Sequence, residues 1–277
     1  MPRVKPKAAG KKDGYKMDDI YESIAGLRRR GEKAVLATIV STRGSAPRKE
    51  SAKMLVLTNG KIIGTIGGGA IEYQAYQEAL KLIAGNESKL AHYELTNDDA
   101  SKEGMTCGGT VDVFLEPIKP LPSLIIFGGG HISFFLARIG KMVDFRVTII
   151  DDRPEFANPE RFPEADETIA EDMAAVMKRL QINGSSYIVI VTRGHQKDEQ
   201  VLEWAATQPA AYIGMIGSKR KIKTSFGYLL GRGITREQLD KVHSPIGLAI
   251  GAETPEEIAV AIMAEIIQVR HVTLATN

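Results

Sequence analysis

The feature that most constrains the fold is an alternation of short apolar runs with longer stretches typical of helices, which begins near residue 124. Strands that are buried on both faces are nearly continuous apolar runs, and in parallel sheets they alternate with helices. We therefore predict a Rossmann-like α/β domain over residues 124–277. Its predicted strands are 124–127, 146–150, 187–192 and 211–215, and its predicted helices are about 131–141, 170–180, 197–207 and 219–230.

The residues before this alternation predict a second, smaller domain. Pro117, Pro120 and Pro122 cannot continue a helix or a central strand, so residues 117–123 are predicted to form a stiff linker. Asn59-Gly60 is a dipeptide typical of tight hairpins. Residues 17–116 mix helices at 17–30 and about 70–84 with strands at 34–41, 52–58, 61–66, 89–95 and 110–115. The predicted fold class is α/β, with a small N-terminal α+β domain followed by a Rossmann-like parallel-sheet domain.

Composition and charge exclude several classes of protein. The chain is 43% hydrophobic and 25% charged, and no apolar run approaches the ~18–20 residues of a membrane span. The first sixteen residues carry a charge of +5, so the remaining chain carries −3, which argues against nucleic acid as a partner. We expect residues 1–16 to be a disordered basic tail. With one cysteine and no apparent signal peptide, we expect a cytoplasmic protein without a disulfide.

The last predicted helix has a clear beginning. Thr254 is a good N-cap, Pro255 suits the first helical position, and Glu257 completes a capping box. Residues 258–269 are apolar nearly all round, which predicts burial against the sheet and against a partner surface. We therefore expect a homodimer.

A glycine-rich turn follows the first strand of the Rossmann-like domain. Gly128, Gly129 and Gly130 end at His131, where the first helix begins, so backbone amides and the helix N-terminus can approach a phosphate. Ser133 stands where the third glycine or alanine of a dinucleotide fingerprint is usually found. A turn that needs glycine only for tight packing is the alternative interpretation.

Two acidic residues end the next strand. Asp151 and Asp152 lie about twenty residues after the glycine turn, where an acid accepts hydrogen bonds from a ribose hydroxyl. Together with the strand–turn–helix context, they predict a nucleotide-type ligand.

Further polar turns follow the third and fourth strands. Arg193 and His195 lie in one turn, with Asp198 one helical turn later, and Gly217 and Ser218 lie in the other. Ligands of open α/β sheets bind outside the carboxyl ends of the strands, so these turns describe one edge that can hold a ligand. For His195 a structural role is as consistent with the sequence as a catalytic one.

The N-terminal domain has its own glycine turn between a strand and a helix. Gly67, Gly68 and Gly69 can expose several amides to an anion, and Glu72 follows in the first helical turn. The basic and polar residues nearby that could bind phosphate or carboxylate are Arg43, Ser45, Arg48 and Lys53. A hairpin corner beside a solvated basic loop is the alternative.

The single thiol, Cys107, is followed by Gly108 and Gly109. Most lone cysteines are buried and inert, but flanking glycines favour access. A thiolate is a good ligand for a soft metal and a good acceptor of sulfur.

These motifs together resemble the xanthine dehydrogenase accessory factor (XdhC/CoxI) family over nearly the whole chain after residue 16. Ser51 departs from the pattern, because the family often has glycine there. The segments that resemble the N-terminal domain of the family are 44–48, 52–54, 64–69 with Glu72, and 107–109; those that resemble its Rossmann domain are 128–131, 151–153, 192–195 with Asp198, 213–221 and 247–259.

The resemblance implies a chaperone that binds molybdenum cofactor and delivers it to a molybdenum hydroxylase, with a cysteine desulfurase supplying the terminal sulfido ligand. The cofactor is a pterin dithiolene with a phosphate, in some enzymes extended to a dinucleotide. On this reading the glycine turns hold the phosphate and pterin, and Cys107 lies close to the molybdenum or its sulfur. The alternatives are an NAD(P)-dependent oxidoreductase, with His195 as acid or base and Asp151 on the ribose, and a scaffold that binds a partner enzyme through the last helix.

Overall fold

The computed structural model describes residues 17–44, 50–85, 87–94 and 109–275, and these fall into two compact units. Among the described residues, one unit contains those at 17–28 and 32–119, and the other contains residues 29–31 and those from Pro120 onward. The basic tail at 1–16, and with it the expected disorder there, lies outside the described residues.

The N-terminal unit is built on an antiparallel sheet. Its strands are β1 (Ala34–Arg43), β2 (Lys53–Leu57), β3 (Ile62–Gly64), β4 (Lys89–Glu94) and β5 (Thr110–Ile118), in the order β3-β2-β1-β5-β4. The predicted hairpin is confirmed, because β2 and β3 pair antiparallel with Met54 opposite Gly64. Gly60 has φ 75°, the left-handed conformation that its turn requires.

Two helices cover opposite faces of this sheet. Helix α1 (Met17–Arg30) places Ile20 and Leu27 against one face, and α2 (Gly69–Leu82) buries Ile71, Ala75 and Ala79 against the other. Alternate residues of β1 point to the two cores, as the period of a strand dictates. The α+β prediction for this unit is therefore confirmed.

The C-terminal unit is built on a parallel sheet. Its strands run in the order β11-β10-β9-β6-β7-β8, which is the order 3-2-1-4-5-6 of Rossmann folds read from the other edge. These strands are β6 (Ser123–Phe127), β7 (Arg146–Asp151), β8 (Glu167–Ala170), β9 (Ser186–Ile190), β10 (Tyr212–Met215) and β11 (Val242–His243).

Helices cover both faces of this sheet, as predicted. Ile125 and Phe127 belong to one hydrophobic core and Leu124 and Ile126 to the other, so β6 is buried on both sides. The helices are α3 (His131–Met142), α4 (Met173–Met177), α5 (His195–Ala205), α6 (Lys219–Gly231), α7 (Arg236–Leu239) and α8 (Pro255–Ala275).

The last helix begins with the predicted cap. The Glu257 N–H donates to Thr254 Oγ1 over 3.3 Å, and the Thr254 N–H donates to Glu257 Oε2 over 3.2 Å. Helix α8 packs beside α3 in the same core, through side chains that include Ile262 and Ile266. None of the helices among the described residues is long and apolar enough to cross a membrane.

Two predicted segments were wrong in detail. The predicted helix at 170–180 is preceded by the edge strand β8 and shrinks to α4, whose N-cap is Asp172. A four-residue strand at a sheet edge depends on pairing with its neighbour, which local sequence does not report. In addition, β5 runs through Pro117 to Ile118 instead of giving way to a linker at 117. Beyond Leu115 it pairs with β1 alone, so Pro117 lies at an edge of the sheet, where proline is tolerated.

Candidate functional site

The carboxyl ends of the parallel strands converge at one edge of the C-terminal unit. The chain leaves β6 and β9, which are neighbours in the sheet, toward opposite sides, so the turns after these strands flank the point where the strand order reverses. Open α/β sheets bind ligands at this point. The glycine turn and the turn containing Arg193 and His195 are the two turns concerned.

The three glycines of the first turn have different roles. A Cβ on Gly128 would lie 2.4 Å from the Val191 carbonyl oxygen, and one on Gly129 would lie 2.0 Å from the Phe156 carbonyl oxygen. A Cβ on Gly130 would meet no atom within 4 Å. Gly128 and Gly129 therefore fit the tight-packing interpretation, whereas Gly130 leaves bare backbone open at the N-cap of α3.

Ser133 is fully buried and donates a hydrogen bond of 2.5 Å to the Gly128 carbonyl. It thereby fixes the glycine turn to the first turn of α3. A serine at this position is consistent with the fold, although a small apolar residue is more usual.

Asp151 is satisfied within the protein. It is 2% exposed and accepts from the Gly129 N–H (2.8 Å), the Arg153 N–H (3.1 Å) and the Arg153 guanidinium (2.8 and 2.9 Å). Burial acts to raise the pKa of this carboxyl, but the hydrogen bonds from Arg153 and Gly129 hold it below its ordinary value. Both oxygens are thus engaged within the protein, and Asp151 holds the glycine turn in place. The neighbouring Asp152 forms an ion pair with Lys197.

The residues after β7 cover Gly129, which sequence reasoning did not anticipate. We call residues 153–162 the cover segment. Besides the contact from Phe156, the Arg161 Nε donates to the Gly129 carbonyl over 3.1 Å. The Arg153 guanidinium lies 3.6 Å above the Phe156 ring, a cation–π distance.

The turn after β9 is organised by a buried carboxylate. Asp198 is 1% exposed and accepts from the Thr192 N–H (3.1 Å), the Thr192 hydroxyl (2.7 Å) and Lys221 Nζ (2.6 Å). This arrangement leaves Arg193 and His195 exposed, with His195 at the first position of α5. Asp198 is therefore a positioning residue for the turn.

The turn after β10 presents Gly217 and Ser218. Ser218 is the N-cap of α6, and its hydroxyl accepts from the Lys221 N–H over 3.3 Å. Lys221 joins α6 to α5 through its ion pair with Asp198.

A polar cluster joins β10, β11 and α8, and no local sequence motif predicts it. Glu265 accepts from the Tyr212 hydroxyl (2.5 Å) and the Gly247 N–H (3.0 Å), and His243 Nδ1 lies 3.4 Å from its other oxygen. Burial acts to raise the pKa of Glu265, but the bonds from His243, Tyr212 and Gly247 lower it. Burial and the bond to Glu265 raise the pKa of Tyr212. The partners are distant in sequence, so only the fold reveals the cluster.

The glycine turn of the N-terminal unit is already capped by an acid. Glu72 Oε2 accepts from the Ile66 N–H (3.0 Å), the Gly68 N–H (3.1 Å) and the Thr65 hydroxyl, while the Gly67 N–H donates to Thr65 Oγ1 (3.0 Å). The amides of Gly67 and Gly68 are therefore directed at the protein's own side chains. Gly69, at the first position of α2, is exposed.

The other predicted residues of this unit are only partly described. Arg43 ends β1 opposite Thr110 of β5, whereas Lys53 begins β2 opposite the middle of β1. Lys53 pairs with Thr38, five residues before Arg43, so the two bases lie roughly 16 Å apart along the strand direction. Ser45, Arg48 and Cys107 lie outside the described residues. Within the described part of the chain, no group of three or more His, Cys, Asp or Glu side chains could hold a metal.

The arrangement that remains open is suited to an anion. Gly130 offers unobstructed backbone at the positive end of α3, and His131, Arg193 and His195 are exposed at the same edge of the sheet. Bare backbone together with an exposed guanidinium and exposed imidazole rings can hold a phosphate.

Comparison with known proteins agrees with this geometry. Residues 124–266 match the model of the XdhC Rossmann domain, and residues 27–94 match the model of the XdhC and CoxI family. The crystal structure of a xanthine dehydrogenase from Bacillus halodurans is similar, with a TM-score of 0.52 and 25% identity over 92% of this chain and 95% of that one.

Curated relatives point the same way. The chain is 34% identical to the uncharacterized protein YqeB of Escherichia coli over 91% of its own length, but it spans only 46% of that relative. It is 27% identical to a probable xanthine dehydrogenase subunit of Bacillus subtilis, covering 92% of this chain and 98% of that protein. It is 22% identical to the molybdenum cofactor insertion chaperone PaoD of Escherichia coli, covering 87% and 84%. Since the Rossmann match alone covers half of the chain, the protein belongs to the XdhC and CoxI family.

Proposed function

We propose that this protein binds molybdenum cofactor in the cytoplasm and delivers it to a molybdenum hydroxylase such as xanthine dehydrogenase, without turnover of its own. The observation that carries the proposal is the open N-cap at Gly130, which lies at the strand-order reversal of a chain related to a cofactor insertion chaperone. The cofactor is cargo here, so the protein must hold it tightly enough to protect it and weakly enough to release it.

The chemistry of the cargo supports this assignment. Its phosphate suits the bare backbone of Gly130 and the N-terminus of α3, with Arg193 supplying positive charge and the exposed His195 ring a further polar contact. Gly217 and Ser218, at the end of β10, are proposed to contact the remainder of the ligand. These residues are proposed to bind and orient the cofactor, whereas the redox chemistry takes place in the client enzyme.

A separate role in handling the cofactor is proposed for the N-terminal unit, over residues 17–116. Cys107 is proposed to lie close to the molybdenum or its sulfido ligand, where a thiolate could support sulfuration by a cysteine desulfurase. A homodimer remains part of the proposal, because the last helix is apolar on most of its surface.

An NAD(P)-dependent oxidoreductase is the less favoured assignment. A ribose acceptor must have free carboxylate oxygens, and both oxygens of Asp151 are taken by Arg153 and Gly129. His195, which would have to act as acid or base in such an enzyme, is exposed to solvent at the start of α5.

The test is to produce the protein together with the cofactor biosynthesis enzymes and to measure the bound pterin by mass spectrometry. Gly130→Asp is the diagnostic variant, because aspartate is a favourable N-cap yet places a negative charge where the phosphate should lie. Gly227→Asp is the matched control, since a Cβ on Gly227 also meets no atom within 4 Å. The wild type and the control should carry about one pterin per chain, and Gly130→Asp should carry at least about tenfold less at unchanged thermal stability.

Equal pterin content in all three proteins would remove Gly130 from the binding site. If the wild type carries no pterin yet still binds a molybdenum hydroxylase, the scaffold alternative replaces the proposal.

A further inference from the structure

In a dinucleotide-binding Rossmann domain, the nucleoside half of the ligand lies at the end of the second strand. An acid there accepts from the ribose, and the glycine turn brings bare backbone close to the pyrophosphate. In this chain the second strand of the sheet is β7, and the corresponding atoms belong to Asp151 and the glycine turn.

Those atoms are occupied by the protein itself. The Gly129 N–H and the guanidinium of Arg153 take both carboxylate oxygens of Asp151. A ribose that approached this acid would have to displace a charge-assisted pair from a residue that is 2% exposed.

The space in front of Gly129 is occupied as well. The Phe156 carbonyl stands so close that not even a methyl group would fit on Gly129, and Arg161 holds the cover segment down through the Gly129 carbonyl. Phe156 lies beneath the Arg153 guanidinium and 5.2 Å from that of Arg161, so the three side chains brace one another.

The other side of the glycine turn is open. Nothing lies within 4 Å of a Cβ on Gly130, and the turn after β9 leaves Arg193 and His195 exposed. A ligand can therefore reach the phosphate position from the side of β9 and β10, but not continue past it toward β7.

We infer that the Rossmann unit selects a ligand whose phosphate is a terminal monoester and excludes one in which a nucleoside extends beyond that phosphate. The inference rests on the proposed function and makes it more specific. The cargo is the nucleotide-free pterin phosphate form of the cofactor, rather than its cytosine dinucleotide form, and the cover segment is the element that discriminates between them.

The experiment is equilibrium binding of the two cofactor forms, and of ADP-ribose as a probe of the nucleoside half, to the full-length protein. The wild type should bind the nucleotide-free form at least about tenfold more tightly than the dinucleotide form and should not bind ADP-ribose saturably. Arg161→Ala releases the cover segment without leaving Asp151 unpaired, and it should reduce that preference at least about threefold. Arg138→Ala is the matched control, since it removes an arginine that pairs with Glu164 at the surface of the same unit.

Binding of the dinucleotide form by the wild type as tightly as the nucleotide-free form, or saturable micromolar binding of ADP-ribose, would overturn the inference and leave the proposed function standing. An unchanged preference in Arg161→Ala would remove the discriminating role of the cover segment. Failure of both cofactor forms to bind would overturn the proposed function, and the inference would fall with it.

Discussion

Adding one methyl group at Gly129 should destabilise the Rossmann unit, whereas the same addition at the next residue should not. The Cβ of Gly129→Ala would stand 2.0 Å from the Phe156 carbonyl oxygen and 2.8 Å from its carbon. An ordinary C···O contact is about 3.3 Å or longer, so the cover segment must move by more than about 1 Å. Overpacking of this kind costs about 1–3 kcal/mol, of which the lower entropy of the unfolded alanine chain recovers about 0.4–1 kcal/mol. From the middle of both ranges we expect a net loss of about 1–2 kcal/mol.

Urea unfolding followed by tryptophan fluorescence measures this loss in the relevant unit. Trp204 is the only tryptophan in the sequence, and its ring lies 5.8 Å from that of Phe127 in the core of the Rossmann unit. The corresponding fall in melting temperature is about 2–8 °C for a unit of this size. Gly130→Ala should change the stability by less than about 0.5 kcal/mol. Equal stability of Gly129→Ala and the wild type, or equal damage by both substitutions, would show that the cover segment does not rest on Gly129.

Three further predictions concern the carboxylates of Asp151, Glu265 and Glu72. The pKa of Asp151 is lowered in the folded protein, so its contribution to stability should be present above about pH 4 and lost as the pH falls through the folded value. In Asp151→Asn the midpoint of urea unfolding should therefore depend less on pH in that acidic range than it does in the wild type. Tyr212→Phe removes a hydrogen-bond donor from the half-buried Glu265 and should lower the free energy of unfolding by about 1–3 kcal/mol in the same fluorescence assay. The control Tyr228→Phe, at a half-exposed position, should leave that free energy almost unchanged. Equal effects of the two substitutions would contradict a role for the polar cluster. Glu72→Ala should speed amide hydrogen exchange at Ile66 and Gly68 by at least about tenfold. Glu78→Ala, which removes an acid from the same helix, is the control. Unchanged protection in Glu72→Ala would show that the turn does not depend on this acid.

Local sequence was a good guide where a pattern maps directly onto one element. Helix α1 ends at the predicted residue, because the following Gly31 marks its C-terminus. The parallel sheet followed from continuous apolar runs such as that of β6, and the capping box of α8 was visible as Thr254, Pro255 and Glu257.

Sequence was a poor guide where the partner of a residue lies far along the chain. Asp151 carries the pattern of a ribose acceptor, but Arg153 and the distant Gly129 decide what it contacts. The three glycines of the turn look equivalent in the sequence. Gly129 and Gly130 differ only because Phe156, more than twenty residues later, packs against Gly129 and not against Gly130. The hydrogen bond between Tyr212 and Glu265 joins residues that are fifty-three positions apart in the sequence, and no local pattern predicts it.

The most direct test of the account is transfer of cargo to a client. The protein loaded with molybdenum cofactor would be mixed with a cofactor-free molybdenum hydroxylase, and both the client's activity and the pterin left on the carrier would be followed. Activity should appear in proportion to the pterin lost from the carrier, and a Gly130→Asp preparation, which lacks cargo, should activate nothing. Retention of the pterin by the carrier with no activation of the client, or activation by the unloaded variant, would contradict it.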